Sequence, residues 1–511
     1  MKTLKYTILL AAALAVAGNC AEAQITVSNR QSYSNSNGTR VIERVYGSNE
    51  LVFYYDKTTH KNVFLFPWTK SSGTVNKFSF PDESGPQGSF YYTINDIVVI
   101  GEMCYFCGKK KFENGYEYDL NNIPHVVFDS VGFVGRFSLS NVTSFMGSSL
   151  KYQVRTLDGT VNILRMDKHT DINSDTLLAM VGVTNDLTNG VARTTCLVFM
   201  HGAGSSWHYN VRKSSNDSET FTDIVFTDKY VVAVSKLQGD SLKFCLRGGS
   251  LHDVYGSDDY SALDDMNQFN TSNMYVYSLG SLTPTWHYDN VQMKLCSIPA
   301  TDQFHVAYET FFPNPIYGVT QNNVSVFQMD ASLMPSNQNR IYMNLAQFVR
   351  NSISDTGTFA DIALVPYTSS TALLHRTTNG SLKSILQIAS WSPIGTVKSY
   401  TSSTETLKSI DVMDGRHVYG AGHAPGSNDN IVGFYQDANN FSTTCYDTTS
   451  HSAYPLYPVV TSAMATSTLI EHRNNDDLPW PSGGVQVNGT SIARGFPCTK
   501  VVYIIGPIIN K

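Results

Sequence analysis

Charge is scarce in this chain. Lys, Arg, Asp and Glu make up 15% of its 511 residues, and the formal net charge is −6. That balance excludes a nucleic-acid partner, which would require clustered Lys and Arg. Long apolar runs are also missing. Beyond the N-terminus nothing approaches the roughly 20 consecutive apolar residues of a membrane helix. Helical periodicity is nearly absent; Tyr342–Val349 fits a short helix or an edge strand. Catalytic signatures are lacking too. His201-Gly202-Ala203-Gly204-Ser205-Ser206 does not have the Gly-x-Ser-x-Gly order of a nucleophile turn and reads as a turn between strands. No phosphate loop or dinucleotide fingerprint occurs. Paired carboxylates for glycoside cleavage would leave no local motif, so their absence from the sequence decides nothing.

Cysteine gives little framework. There are eight, and removal of a leader containing Cys20 leaves an odd number, which does not suit a disulfide scaffold in so long a chain. Cys107, Cys196 and Cys245 lie in apolar runs and are expected as buried free thiols. Cys104 and Cys107 fall on one strand and face opposite sides of it, so they share neither a bridge nor a metal. No second Cys-x-x-Cys exists to complete a zinc site.

What the chain has in plenty is Tyr (29), Phe (26) and small polar residues, a composition that suits an exported all-β protein. Its N-terminus reads as a leader. Lys2 and Lys5 precede the apolar stretch Ile8–Val16, which is too short to span a bilayer. Ala21-Glu22-Ala23 then offers small residues for cleavage. Residues 1–23 are expected as a signal peptide and 24–511 as a single β-propeller domain. Export to the periplasm, the cell surface or the medium follows. A lipoprotein anchor at Cys20 is the alternative, although Asn19 suits it poorly.

The most informative feature is a recurring hairpin. Asp96-Ile97-Val98-Val99, a turn at Gly101-Glu102, and Cys104-Tyr105-Phe106-Cys107 form one copy. Asp223–Phe226 with Tyr230–Val234, and Ile410–Met413 with His417–Gly420, repeat it. Third and fourth runs follow, as in Cys196–Met200 and Trp207-His208-Tyr209-Asn210, and Trp286-His287-Tyr288-Asp289 echoes the latter. After Tyr230–Val234 the third run is placed at Met274–Tyr277 and the fourth at Trp286–Asp289. Each unit therefore reads as four short antiparallel strands bounded by Gly, Asn, Asp or Ser. Second strands fall near Leu51, Cys104, Leu177, Tyr230, His305, Ala372, His417 and Leu469, spaced by about 60 residues. Because one blade of a ring is commonly shared between the two termini, these positions suggest seven blades, with eight and then six as alternatives. The ring would close between the N- and C-terminal segments and remove its exposed edges.

These repeats resemble blades of secreted bacterial β-propellers across most of the mature chain. The resemblance is one of pattern and points to no functional family. There is no Trp-Asp repeat ending, no kelch Gly-Gly doublet and no sialidase-type box. The leader and composition resemble those of bacterial envelope proteins such as those of the Bacteroidetes.

Long connections between second and third strands suggest where binding occurs, since long loops on one rigid face usually carry function. Candidate ligand-binding residues are Tyr116, Tyr118 and His125 in one such loop, and Asp258, Asp259, Tyr260, Asp264 and Asp265 in another. His423 opens a third loop, and Asp476, Asp477 and Trp480 lie in the last. Trp480 reads as a sugar-stacking platform or as a plug between blades. The carboxylates at 258–265 suit a calcium ion or a solvated acidic loop; lacking the spacing and central glycine of a dedicated loop, they favour the latter, and no cofactor is expected. His208 and His287 recur after tryptophan, as packing produces. The expected function is a monomeric binding or scaffold protein that takes a glycan or protein ligand on the second-to-third-strand loop face. A polysaccharide hydrolase or lyase with carboxylates at the channel mouth, and a structural envelope subunit, are the alternatives.

Overall fold

A computed structural model describes residues 23–47, 49–67, 73–81, 83–85, 88–112, 116–118, 124–126, 130–140, 149–157, 160–170, 176–185, 193–203, 206–214, 219–237, 243–251, 274–279, 293–314, 319–333, 346–348, 356–379, 381–390, 396–402, 404–424, 430–439, 443–452, 460–464, 469–475, 480–481 and 483–504. The expected leader lies outside them except for Ala23, and Asp258–Asp265, Asp476, Asp477 and Trp286–Asp289 lie outside them too.

The described elements are almost wholly strands in antiparallel sheets. The chain begins with β1 (Ala23–Tyr46), β2 (Asn49–Asp56), β3 (Lys61–Pro67) and β4 (Thr74–Ser79). The next unit holds β5 (Glu83–Gly85), β6 (Gly88–Ile100), β7 (Met103–Phe112), β8 (Tyr116–Tyr118), β9 (Pro124–Val126), β10 (Ser130–Ser138) and β11 (Ser149–Leu157). Then come β12 (Thr160–Thr170), β13 (Thr176–Asn185), β14 (Arg193–Ala203) and β15 (Ser206–Ser214), followed by β16 (Glu219–Phe226), β17 (Tyr230–Leu237), β18 (Lys243–Ser250) and β19 (Met274–Leu279). A further unit has β20 (Met293–Ser297), β21 (Gln303–Asn314), β22 (Val319–Asp330) and β23 (Ala346–Phe348). The next has β24 (Thr356–Val365), β25 (Ser370–Asn379), β26 (Ser381–Ser390) and β27 (Thr396–Ser402), and after it come β28 (Thr406–Met413), β29 (His417–His423) and β30 (Asn430–Asp437). The C-terminal segment supplies β31 (Asp447–Ser452), β32 (Val460–Met464), β33 (Leu469–Asn475) and β34 (Val485–Ile504).

Within each unit the strands pair in chain order. The first strands β1, β6, β12, β16, β20, β24 and β28 pack one against the next, and β28 packs back on β1. This arrangement is propeller-like. Apolar clusters lie between neighbouring units. Between the first two, Phe53, Phe64, Phe66, Phe78 and Phe80 meet Phe106, Phe133, Phe137 and Tyr152. Phe80 stacks on Tyr152 with ring centroids 4.2 Å apart. Burying each such ring contributes about 1.5–3 kcal/mol, far more than an exposed ion pair. Cys104 enters this cluster while Cys107 enters the next, on opposite faces of β7 as expected.

Seven of the eight expected second-strand positions hold the second strand of a unit: Leu51, Cys104, Leu177, Tyr230, His305, Ala372 and His417 lie on β2, β7, β13, β17, β21, β25 and β29. Leu469 does not. It begins β33, which pairs with the outer edge of β15. The whole C-terminal segment behaves this way. β31 joins β27, β32 joins β19, β33 joins β15, and β34 joins β11, then β4, then β1. It thus visits the units in reverse order and covers outer edges that would otherwise stay unpaired. β1 divides its length in turn. Gly38–Tyr46 pairs with β2, whereas its N-terminal part lies between β30 and β34.

Two further differences concern sequence expectations. The third strand after β17 is β18, and Met274 opens the fourth, β19. The segment with Asp258–Asp265 therefore joins third to fourth strand and leaves from the opposite end to that expected; Leu251 N–H donates to Lys229 O in the β16–β17 turn. β18 carries Lys243 and Arg247 and closes on Gly248-Gly249-Ser250, so it lacks the apolar run that marks its neighbours. A disulfide also exists, Cys445–Cys498, with Cα atoms 5.9 Å apart. Residues 346–348 of the stretch Tyr342–Val349 form an edge strand, β23.

Candidate functional site

The first strands share a local device. β-Bulges interrupt their pairing between Ile94 and Asp96, Ile163 and Arg165, Phe221 and Asp223, Phe359 and Asp361, and Leu407 and Ser409. A bulge re-aims the side chains that follow it. Second strands accommodate the displaced backbone with glycine: a Cβ at Gly108 would collide with Thr93 O, and one at Gly422 with Thr406 O.

The redirected side chains are acidic and bridge units. Asp96 Oδ2 accepts from Met166 N–H (3.0 Å), Asp167 Oδ2 from Phe226 N–H (2.7 Å) and Asp223 Oδ2 from Leu295 N–H (2.7 Å). Asp361 Oδ2 accepts from Ile410 N–H (3.0 Å) and Asp411 Oδ2 from Val45 N–H (2.9 Å). Cations serve the other two junctions. Arg44 donates through Nε to Ile97 O (2.6 Å) and through Nη2 to Asp96 Oδ1 (2.7 Å). Lys294 Nζ donates to Asp361 Oδ1 at 2.7 Å.

These groups line a cavity of about 500 Å³, together with Arg165, Lys168, Ser297, Pro299, Pro366 and Gly415. Pro299, Pro366 and Gly415 belong to turns between first and second strands, so the cavity reaches that end of the molecule.

The carboxylates titrate differently. Burial pushes Asp223 up to about 7, against the pull of Lys294 and Arg165. Burial likewise raises Asp167 to about 6 and raises Asp411. For Asp361 burial acts upward too, but Lys294, Arg44 and the Ile410 N–H outweigh it and hold this carboxyl below its usual range. Desolvation lowers Lys168, which lines the cavity and remains solvent-accessible. A raised carboxyl pKa favours the fold below the unfolded value of about 3.9, a contribution lost as pH rises through the folded value. Asp223→Asn keeps an oxygen for Leu295 N–H and should flatten the dependence of the melting temperature on pH between about 4 and 7. An unchanged slope in that window would show that Asp223 does not titrate there.

The charges are unequally committed. The five aspartates accept backbone N–H groups, and Arg44 and Lys294 are paired with two of them. Arg165 reaches only carbonyls, Asn95 O at 3.3 Å and Leu164 O at 3.4 Å. Lys168 makes no ion pair among the described residues. Both come from β12. Neither of these two cavity cations is thus spent on an ion pair among the described residues.

Sequence reasoning missed this site. Asp96, Asp223 and Asp411 stand within the very hairpins that defined the repeat, but they read as strand edges. The expected residues that are described do not line this cavity. Tyr116, Tyr118 and His125 belong to the small ribbon β8–β9, where Glu117 pairs with His125. Half-buried His423 ends β29. Trp480 is 6% exposed, meets Trp207 edge-on with centroids 5.8 Å apart, and has the Arg136 guanidinium 4.3 Å from its ring. It plugs a junction between units and is not an open platform. His208 stacks on His201 at 5.1 Å, as packing. No cluster of three or more His, Cys, Asp or Glu able to hold a metal occurs among the described residues.

No family model and no curated protein matches the chain. Solved structures that it resembles include a protein of unknown function from Dyadobacter fermentans (10% identity, 81% of this chain and 99% of that one, TM-score 0.36). Another is an ulvan lyase of a new polysaccharide lyase family (10% identity, 81% and 96%, TM-score 0.33). A third is Drosophila Plexin A in complex with Semaphorin 1b (8% identity, 81% and 87%, TM-score 0.39). At these scores the likenesses carry no functional inference.

Proposed function

We propose that this is an exported, closed seven-bladed β-propeller that binds a ligand bearing an anionic group in its central channel. The seven first strands that pack in a cycle support the blade number, and the division of β1 between the first and last units supports closure. The disulfide supports an oxidising compartment and so export. The observation that carries the binding site is the pair Arg165 and Lys168, uncommitted in a cavity whose other charges are spent on structure. An anion there gains charge-assisted hydrogen bonds at little reorganisation. The mouth at the first-to-second-strand turns replaces the opposite loop face as the site.

Binding, not turnover, is the reading favoured by the aspartates, because each already accepts backbone N–H groups. Polysaccharide cleavage is a second reading, favoured by one observation: Asp223 and Asp167, raised to about 7 and 6, line the same cavity as Asp361, whose carboxyl is held below its usual range. Titration of the mature protein with galacturonate tests the first. Lys168→Ala and Arg165→Ala should each weaken binding by at least about tenfold, since a hydrogen bond to a charged group contributes about 1.5–3 kcal/mol. Wild-type affinity retained in both variants, or equal binding of neutral galactose, would refute it.

A further inference from the structure

Beside the cavity mouth stands Tyr367, the large apolar side chain that is 67% exposed among the described residues. It lies in a short 3-10 turn (Pro366–Thr368) between β24 and β25, next to the cavity-lining Pro366. The turn is fixed. Tyr367 N–H donates to Gly415 O (2.9 Å), and Ser369, in the left-handed region at φ 47°, donates its N–H to Pro366 O (3.1 Å). The ring is held as well. The Arg416 guanidinium lies 5.7 Å from its centroid and is itself clamped by Asp437 through two bonds of 2.9 and 2.6 Å. An aromatic ring kept rigid but left open to water is a preformed stacking surface, because little side-chain freedom remains to be lost on binding.

We propose that the ligand is an acidic oligosaccharide, with one sugar stacked on Tyr367 at the lip and an acid group of another sugar held by Arg165 and Lys168 inside. This rests on the channel site proposed above. Each contact selects part of the class: an aromatic ring open to water takes a sugar face, and Arg165 and Lys168 take an acid group borne by a sugar further along, whereas a polyphosphate has no ring face to stack. The two contact points lie on different units, β12 and the β24–β25 turn, so a chain is needed to reach both.

Calorimetric titration of the mature protein with galacturonate, tetragalacturonate and AMP separates the ideas. Wild type should bind tetragalacturonate more tightly than galacturonate. Tyr367→Ala should weaken tetragalacturonate binding by about tenfold, the equivalent of one stacking contact, and leave galacturonate unchanged. Tyr367→Phe should retain the wild-type affinity. If Tyr367→Ala leaves tetragalacturonate unchanged while Lys168→Ala still loses galacturonate, the channel site stands and the oligosaccharide proposal falls. Tighter binding of AMP than of tetragalacturonate also overturns it. If Lys168→Ala affects none of the probes, the channel site itself falls.

Discussion

Reduction of the protein, or the double change Cys445→Ala/Cys498→Ala, should lower its stability by about 4 kcal/mol, the loop-closure contribution for a crosslink spanning 53 residues. The effect has a structural meaning beyond the loop. The crosslinked segment leaves beside Ser28, whose hydroxyl receives the Cys445 N–H at 3.0 Å, and returns where Cys498 pairs with Arg30. Between those points it supplies outer strands to five of the units. Opening the bond frees both ends at once, so the outer strands should exchange their amides before the first strands do. The other described thiols do not confuse the experiment. Cys104, Cys107 and Cys196 are buried and Cys296 is half-buried, and burial raises all four, Cys196 to about 12. Native-state alkylation after reduction should therefore label Cys445 and Cys498 ahead of them. An unfolding midpoint unchanged by reductant would refute a crosslinked outer segment.

Asp361→Ala should destabilise by about 3 kcal/mol, because it strands a partly buried ammonium and removes an acceptor from several donors. Asp361 takes Lys294 Nζ and Ile362 N–H on one oxygen, and Ser409 Oγ–H and Ile410 N–H on the other. Adding Lys294→Met should recover at least about 1 kcal/mol, since the stranded charge goes with it. Denaturant unfolding of the two single variants and the double closes the cycle. Additive effects would mean that the pair is not coupled. The pH behaviour is opposite to that of Asp223. Asp361 has a lowered pKa, so its contribution is present above about pH 3.9 and is lost as pH falls through its folded value.

How much of this was legible in the sequence depends on whether the signal is local. Apolar runs with a tight turn between them announce β6–β7, β16–β17 and β28–β29 directly, because strand alternation and turn chemistry are short-range. Strand rank within a sheet is different, since it is set by the partner. Leu469-Ile470 looks like any second strand and becomes an outer strand only because β15 offers an unpaired edge. Met274–Tyr277 was assigned one place early for the same reason. The cavity aspartates were visible as residues and invisible as a set: each lies on a different strand and meets its partner across a junction between units. Cys445 and Cys498 pair through the return of a distant segment, which an odd cysteine count conceals. Trp480 sits between two prolines in a polar stretch and gives no sign of the Trp207 it covers.

The most direct test is a crystal structure of the mature protein grown with tetragalacturonate. Seven first strands should surround one axis, with sugar density at the mouth formed by the Pro366 and Gly415 turns and a carboxylate within hydrogen-bonding distance of Arg165 and Lys168. An open arc of sheets, or a ligand seated on the ribbon of Tyr116 and His125 at the other end, would contradict it.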